Sequence, residues 1–244
     1  MVVPGGAAGA YADLVVRLEA CFLDAYDTIV YTDYTAYRHE LPAMAGISPE
    51  ALYGGFRQVA PALTVGQISM AEAFGQILRA AGVEPEPGLV RAMADKSREL
   101  LLLSGRVYDD VLPFLRELKS RDIKIAVISN CDENTRDLLA ELGVAALADA
   151  LVLSNEVGAA KPAAQIYQCA LDKLGMSAEA ALFVDNNATY CAGAATLGIR
   201  AVQMIREAQD VAREGRDVAR VKGEGDAATG ALVVRSLPEL AVLL

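Results

Sequence analysis

The stretch that decides the fold is Cys21-Phe22-Leu23-Asp24-Ala25-Tyr26-Asp27-Thr28-Ile29-Val30. Its first part, with Ala20, is a short apolar run that reads as a buried strand delivering the Asp24 carboxylate at its C-terminal end. In open parallel α/β sheets that edge is where ligands bind, so a polar residue there is a candidate for chemistry. Thr28, four residues on, sits on the loop that turns back past the strand end. Taken alone, the stretch reads equally well as a strand followed by an Asx-type turn. The rest of the chain decides.

Downstream, apolar runs with polar ends recur. Residues 123–128 form a strand pattern ending at Ser129-Asn130, 150–153 another, 181–184 a third ending at Asp185, and 199–205 a fourth. Between them lie helical patterns at 111–121, 132–142, 162–174 and 188–197, the last three stopped by Gly143, Gly175 and Gly198. Strands and helices alternating at this length predict parallel βαβ units. Residues 33–105 read as helical throughout. Ser48-Pro49-Glu50 is an N-cap with proline at the first helical position. Ser69-Met70-Ala71-Glu72 is a capping box, after which Met70, Phe74, Ile77 and Leu78 recur at helical spacing until Gly82. Residues 89–103 give a further periodic segment with charges on one face. The pattern predicts an α/β fold: a Rossmann-like parallel sheet core built discontinuously from 18–32 and 106–244, with an all-helical block, 33–105, inserted after the first strand. Residues 1–17 read as an N-terminal tail or short helix. A charged, irregular stretch at 206–230 precedes Leu232-Val233-Val234 and a short final helix.

Composition narrows the function. The 244 residues are 54% hydrophobic but only 6% aromatic with no Trp, so the core must be mostly aliphatic. A net charge of −10 speaks against a nucleic-acid partner. No run of about 18 apolar residues predicts a membrane span, and the N-terminus lacks the basic region of a secretory signal. Cys21, Cys131, Cys169 and Cys191 have no paired spacing and read as reduced thiols of a cytoplasmic protein. The single histidine, His39, lies among polar residues of a helix, which disfavours His-based triads and most zinc sites. Gly223-Glu224-Gly225-Asp226-Ala227-Ala228 fits a loose dinucleotide pattern but follows a charged stretch instead of a strand.

What remains is a set of polar strand ends: Asp24, Ser129 with Asn130, and Asp185 with Asn186 and Asn187, joined by Lys161-Pro162, where Pro162 is expected to open a helix. Each has an ordinary reading as a cap or turn. Together they supply a carboxylate, hydroxyl donors, an ammonium and further oxygens, a set suited to transferring an electrophile onto Asp24. The order Asp24…Thr28, Ser129-Asn130, Lys161-Pro162, Phe183-Val184-Asp185 resembles the four motifs of the haloacid dehalogenase (HAD) superfamily, and the helical insert resembles the cap of one of its subclasses. The resemblance, which spans about 20–205, implies a HAD-like core and Asp24 as nucleophile. It implies Thr28 and Ser129 as donors to the transferred group, with Asn130 beside them, and Lys161 as charge stabiliser. In phosphatase members Mg²⁺ would be held by Asp24, the carbonyl of residue 26, Asp185 and its neighbour Asn186.

Departures from the family pattern are informative. Most phosphatases of the family carry an acidic residue where this chain has Tyr26, and a phenol of ordinary pKa near 10 is a weak proton source and a poor base. Asn186 stands where a second acid is common and brings no charge, so Mg²⁺ should bind more weakly. Asp27 stands where Gly is frequent, as a turn residue or a displaced acid/base. Asp24-Ala25-Tyr26 is similar to the first motif of the metal-independent 2-haloacid dehalogenases, and Tyr167, Asn187 and Arg57 also match that branch, implying substrate-binding roles. Against that branch, Asp185 replaces a Ser and Tyr190 replaces its water-activating Asp. Arg57 reads equally as a solvated helix charge, and Cys131 as a packing residue. The expectation is therefore a Mg²⁺-assisted hydrolase of a small phosphomonoester. The alternatives are a metal-independent 2-haloacid dehalogenase-type hydrolase and a non-catalytic HAD-like binding protein.

Overall fold

A computed structural model describes residues 18–206 and 232–243 of the chain. The N-terminal tail, most of the charged 206–230 stretch and the Gly223 pattern lie outside the described residues. In chain order the elements are β1 (Ala20–Leu23), β2 (Val30–Thr32), α1 (Thr35–Ala45), α2 (Pro49–Thr64), α3 (Met70–Ala80), α4 (Pro87–Ser104), β3 (Gly105–Val107), α5 (Val111–Ser120), β4 (Lys124–Ser129), α6 (Thr135–Glu141), β5 (Ala150–Leu153), α7 (Ser154–Val157), α8 (Ala164–Leu174), β6 (Ala181–Asp185), α9 (Ala188–Ala195), β7 (Arg200–Met204) and β8 (Leu232–Val234). A final 3-10 turn covers Leu237–Val242.

Six strands form one parallel sheet in the order β5-β4-β1-β6-β7-β8. β1 is central, paired with β4 (Leu23 opposite Val127) and with β6 (Leu23 opposite Val184). All four of its residues are buried, which is why the strand reads as an unbroken apolar run instead of an alternation. The period of two still sorts the side chains. Cys21 and Leu23 join the cluster with Val111, Phe114 and Leu115 of α5 and Leu138 and Leu139 of α6. Ala20 and Phe22 join Ile166, Tyr167 and Leu171 of α8 and Ala194 of α9 on the opposite face. The winding runs from β1 out through β4 to β5 and then returns past β1 to β6, β7 and β8, so its direction switches at β1 and the ends of β1, β4 and β6 border one crevice.

Helices α1–α4 pack around a separate apolar cluster containing Leu41, Leu52, Met70, Phe74, Ile77, Leu78 and Met93. The caps are those the sequence predicts: Ser48 accepts from the Ala51 N–H, and Ser69 and Glu72 form a reciprocal capping box. His39 is exposed on α1. Four local readings differ. The helical block is entered and left through a two-stranded antiparallel stem, β2 with β3 (Val30 opposite Val107), too short to announce itself by periodicity. α7 is likewise a single turn. α6 starts at Thr135, not 132, because the Asp132 carboxylate accepts from the Asn134 N–H and holds a turn there. α8 starts at Ala164 instead of Pro162. Both backbone polar groups of Lys161 are taken by the Asn130 side chain (N–H to Oδ1 2.7 Å; Nδ2 to carbonyl 2.9 Å), which seats 161–163 as a loop.

Candidate active site

The side chains predicted at the strand ends converge. Asp24 follows β1 and its N–H donates to the Val184 carbonyl (2.9 Å). The Lys161 ammonium donates to Asp24 Oδ1 (2.5 Å), Asp185 Oδ2 (2.6 Å) and the Ile128 carbonyl (3.0 Å), so all three of its protons are used. Its side chain is 1% exposed. The Phe183 and Tyr190 rings lie 5.5 and 5.1 Å from the ammonium. Lys161 reaches this place because the Asn130 clasp fixes its backbone. Gly193 of α9 lets Pro162 approach too, since a Cβ there would meet the Pro162 carbonyl at 2.8 Å. The Lys161–Pro162 peptide is cis.

Thr28 Oγ1 donates to Asp24 Oδ2 (3.2 Å) and accepts from the Asn186 N–H (3.1 Å), tying the β1 and β6 ends together. Asp185 Oδ1 accepts from the Asn187 N–H (2.8 Å). Two carboxylates thus share one ammonium in a buried site, leaving one negative charge uncompensated. Burial and then the Asp24 charge push the Asp185 carboxyl up to about 7, against the opposing pull of Lys161. Burial works against the Lys161 ammonium, but Asp185 and Asp24 outweigh it and hold it above the ordinary lysine range. Ser129 Oγ, at the β4 end, is buried and has no hydrogen-bond partner among the described residues. A buried hydroxyl left unsatisfied is unfavourable unless a ligand completes it.

Tyr26 does not present a ready acid. Its hydroxyl shares a 2.9 Å hydrogen bond with Thr135 Oγ1, and burial, with the charges of Tyr34 and Asp132, raises the phenol well above its ordinary value. Asp27 adopts φ +60°, the left-handed conformation of a turn residue. Tyr167 is fully buried behind the site, and its hydroxyl donates to the Tyr190 backbone carbonyl (2.7 Å). Asn187 caps α9, its side chain accepting from the Thr189 N–H. Arg57 is exposed on α2 and takes no part in the hydrogen bonds around Asp24. Cys131 is buried, and burial pushes its thiol up to about 12, which suits packing and not nucleophilic chemistry. Sequence reasoning missed Arg206, which reaches the Thr28 carbonyl. It also missed Ser154, whose hydroxyl donates to the Thr64 carbonyl of the helical block (2.6 Å) and accepts from the Cys131 N–H (2.9 Å). Arg206 had a usable signal, being a polar residue just past a strand end.

A family described as hydrolase, haloacid dehalogenase-like hydrolase, matches residues 18–198. Phosphatase MT3486 of Mycobacterium tuberculosis (strain CDC 1551 / Oshkosh) is 35% identical over 104 residues, which are 42% of this chain and 48% of that protein, so the chain matches about half of that relative's length. The (S)-2-haloacid dehalogenase 4A of Burkholderia cepacia is 26% identical over 203 residues, 80% of this chain and 86% of that protein. Among solved structures, the L-2-haloacid dehalogenase from Xanthobacter autotrophicus with chloropropionic acid covalently bound superposes with a TM-score of 0.65 at 22% identity. That superposition covers 93% of this chain and 98% of that one, a likeness of fold.

Proposed function

The chain belongs to the haloacid dehalogenase-like hydrolases, and on that premise we propose that it hydrolyses a small phosphomonoester through attack of Asp24 on phosphorus. The observation that carries this reading is the second carboxylate: Asp185 shares Lys161 with Asp24 and leaves one buried negative charge uncompensated. A divalent cation answers that charge, and the oxygens of Asp24, Asp185, Asn186 and the Tyr26 carbonyl fit a hard ion such as Mg²⁺. Among the described residues no group of three or more His, Cys, Asp and Glu side chains gathers to hold a metal; of the oxygens named only those of Asp24 and Asp185 carry charge, so weak binding is expected. When bound, Mg²⁺ supplies Lewis-acid stabilisation of the charge on the transferred oxygens.

The chain's own residues do the rest. Asp24 is the nucleophile, oriented by Thr28 and by its N–H bond to Val184. Ser129, with its unused hydroxyl, donates to a phosphoryl oxygen, and Thr28 turns its single proton from Asp24 Oδ2 to another. Lys161 neutralises charge as the bond from Asp24 to phosphorus forms and the ester's phosphorus–oxygen bond breaks. The alcohol leaves and takes its proton from water, and a second water hydrolyses the aspartyl phosphate to free Asp24. Asn130 keeps Lys161 in place. Residues 33–105 act as a cap over a core of 18–32 and 106–244, docked through Ser154 and Thr64, and exclude bulk water while selecting the leaving group. Substrate-binding roles for Arg57 and Asn187 rest on the resemblance alone. Four free cysteines suit a reducing, cytoplasmic compartment, and among the described residues no helix is long and apolar enough to cross a membrane.

A specific observation favours a second reading. Tyr26, tied to Thr135, offers no leaving-group acid, and displacement of halide from carbon needs none. The relative from B. cepacia that aligns along 80% of this chain is a haloacid dehalogenase. The deciding experiment measures phosphate release from a panel of small phosphomonoesters with Mg²⁺ and with EDTA, and halide release from 2-chloropropionate, using Asp24→Asn as control. Mg²⁺-dependent phosphate release that disappears in Asp24→Asn is the expected result. Halide release in EDTA would overturn it in favour of the second reading, and no release of either kind would favour a binding protein.

A further inference from the structure

Arg206 follows β7 and crosses the strand ends to the turn that carries Thr28. Its Nε donates to the Thr28 carbonyl (2.9 Å), and its Nη1 to Asp110 Oδ2 (2.7 Å). The side chain is 10% exposed, with the guanidinium 4.3 Å from the centre of the Tyr108 ring. Asp110 Oδ2 also accepts from the Leu237 N–H (2.9 Å), so the C-terminal segment braces the carboxylate that aims the arginine. A planar fork buried between an aromatic face and a carboxylate has its donor directions fixed, which a lysine could not reproduce. The Thr28 carbonyl therefore sits where that fork places it. Thr28 is also the residue whose hydroxyl contacts Asp24 and accepts from the Asn186 N–H.

We propose that Arg206, braced by Asp110 and Tyr108, is a positioning residue that holds the Thr28 turn against Asp24 and Asn186. It acts through Thr28 and touches no substrate. The proposal deepens the hydrolase reading and rests on Asp24 as the nucleophile for its kinetic arm only. Displacement of a catalytic donor by about 1 Å lowers turnover by roughly 100-fold, so a loosened turn should appear in kcat.

The test uses the full chain with Arg206→Ala and, as the gentler variant, Arg206→Lys. The first readout is hydrogen exchange of the Asn186 amide, measured without substrate, with the Leu182 amide inside β6 as internal reference. Exchange at Asn186 is expected to accelerate about tenfold in Arg206→Ala while Leu182 keeps its protection, as befits loss of one charge-assisted hydrogen bond at the turn. The second readout is steady-state kinetics: kcat is expected to fall about tenfold or more with KM within about twofold, and added methylguanidinium at low millimolar concentration to restore part of it. Arg206→Lys, which keeps the charge and loses the fork, should show the same pattern to a smaller degree. Wild-type protection at Asn186 would overturn the proposal. So would a loss of protection at Asn186 and Leu182 together in both variants, which would mark a general structural role. A wild-type protein without turnover would refute the hydrolase reading while amide exchange still decides the role of Arg206.

Discussion

Replacing Lys161 with methionine removes the ammonium while keeping an apolar side chain of comparable length. The ammonium lies 2.5 Å from Asp24 and 2.6 Å from Asp185, with its side chain 1% exposed. Removing one member of a buried ion pair costs about 3–5 kcal/mol because the other is left as an uncompensated charge. Here two carboxylates would be left, so the upper half of that range is expected near neutral pH. The folded protein can relieve the strain only by taking up protons. Burial and the Asp24 charge already push the Asp185 carboxyl up from an ordinary 3.8 to about 7 despite Lys161, and loss of the ammonium moves it further up. A carboxyl raised in the folded state makes the native protein bind more protons than the unfolded chain, so stability falls as pH rises from about 4 toward the folded value. Lys161→Met should therefore be about 4 kcal/mol less stable than the parent at about pH 7.5 and recover much of that deficit at about pH 5. Urea unfolding followed by far-ultraviolet circular dichroism at both pH values measures it. A deficit below about 1 kcal/mol, or one of the same size at both pH values, would refute the shared-ammonium account.

Three further outcomes follow from the same geometry. Ser129→Ala removes a buried hydroxyl with no partner among the described residues. Stability should hold or rise by up to about 1 kcal/mol while kcat falls roughly 100-fold, and parallel losses in urea unfolding and turnover would assign the hydroxyl to structure instead. Gly66 has φ +69°, and a Cβ there would lie 1.9 Å from the Asn155 carbonyl oxygen, whereas Gly46, at φ +65°, has nothing within 4 Å. Gly66→Ala should cost at least about 2 kcal/mol more than Gly46→Ala in urea unfolding, and equal costs would dismiss the close docking of the helical block on α7. With Tyr26 a poor acid, aryl phosphates should turn over about 100-fold or more faster than alkyl phosphates of similar size. Equal kcat on both would reveal another proton donor.

The sequence announces the sheet because each central strand is buried on both faces and ends in a polar residue. The runs before Asp24, Ser129 and Asp185 carry both signals, and the alternation with helices orders them. The cap residues Ser48 and Ser69 are equally plain, since capping is settled within four residues. What stays hidden is set over longer separations. Lys161 is 137 residues from Asp24, and Arg206 is 178 from Thr28. A motif points to the first pair, but the second has no local trace beyond its position past a strand end. The β2–β3 stem fails for a different reason: three residues a side offer too few alternations to distinguish a strand from a helix end. Tyr167 is a third kind of case. Its spacing from Lys161 matches a substrate-binding position, and its surroundings, the Phe183 ring it meets edge-on and the Tyr190 carbonyl it satisfies, are set by residues far along the chain.

The two readings of the reaction place opposite demands on charge in one pocket. A 2-haloacid brings its own carboxylate, so attack on its carbon is easiest where a single aspartate faces a lysine and the site is close to neutral. Here Asp24, Asp185 and Lys161 sum to a net negative charge. That charge repels any anionic substrate until it is offset, whether the substrate is a carboxylate or a phosphate. Protonation of Asp185 offsets it only below about pH 7, whereas a divalent cation offsets it across the neutral range and leaves the pocket positive for a phosphate dianion. On the proposed hydrolase reading, Asp185 is the residue on which the choice of chemistry turns. A serine there would relieve the repulsion and remove the reason to bind a metal.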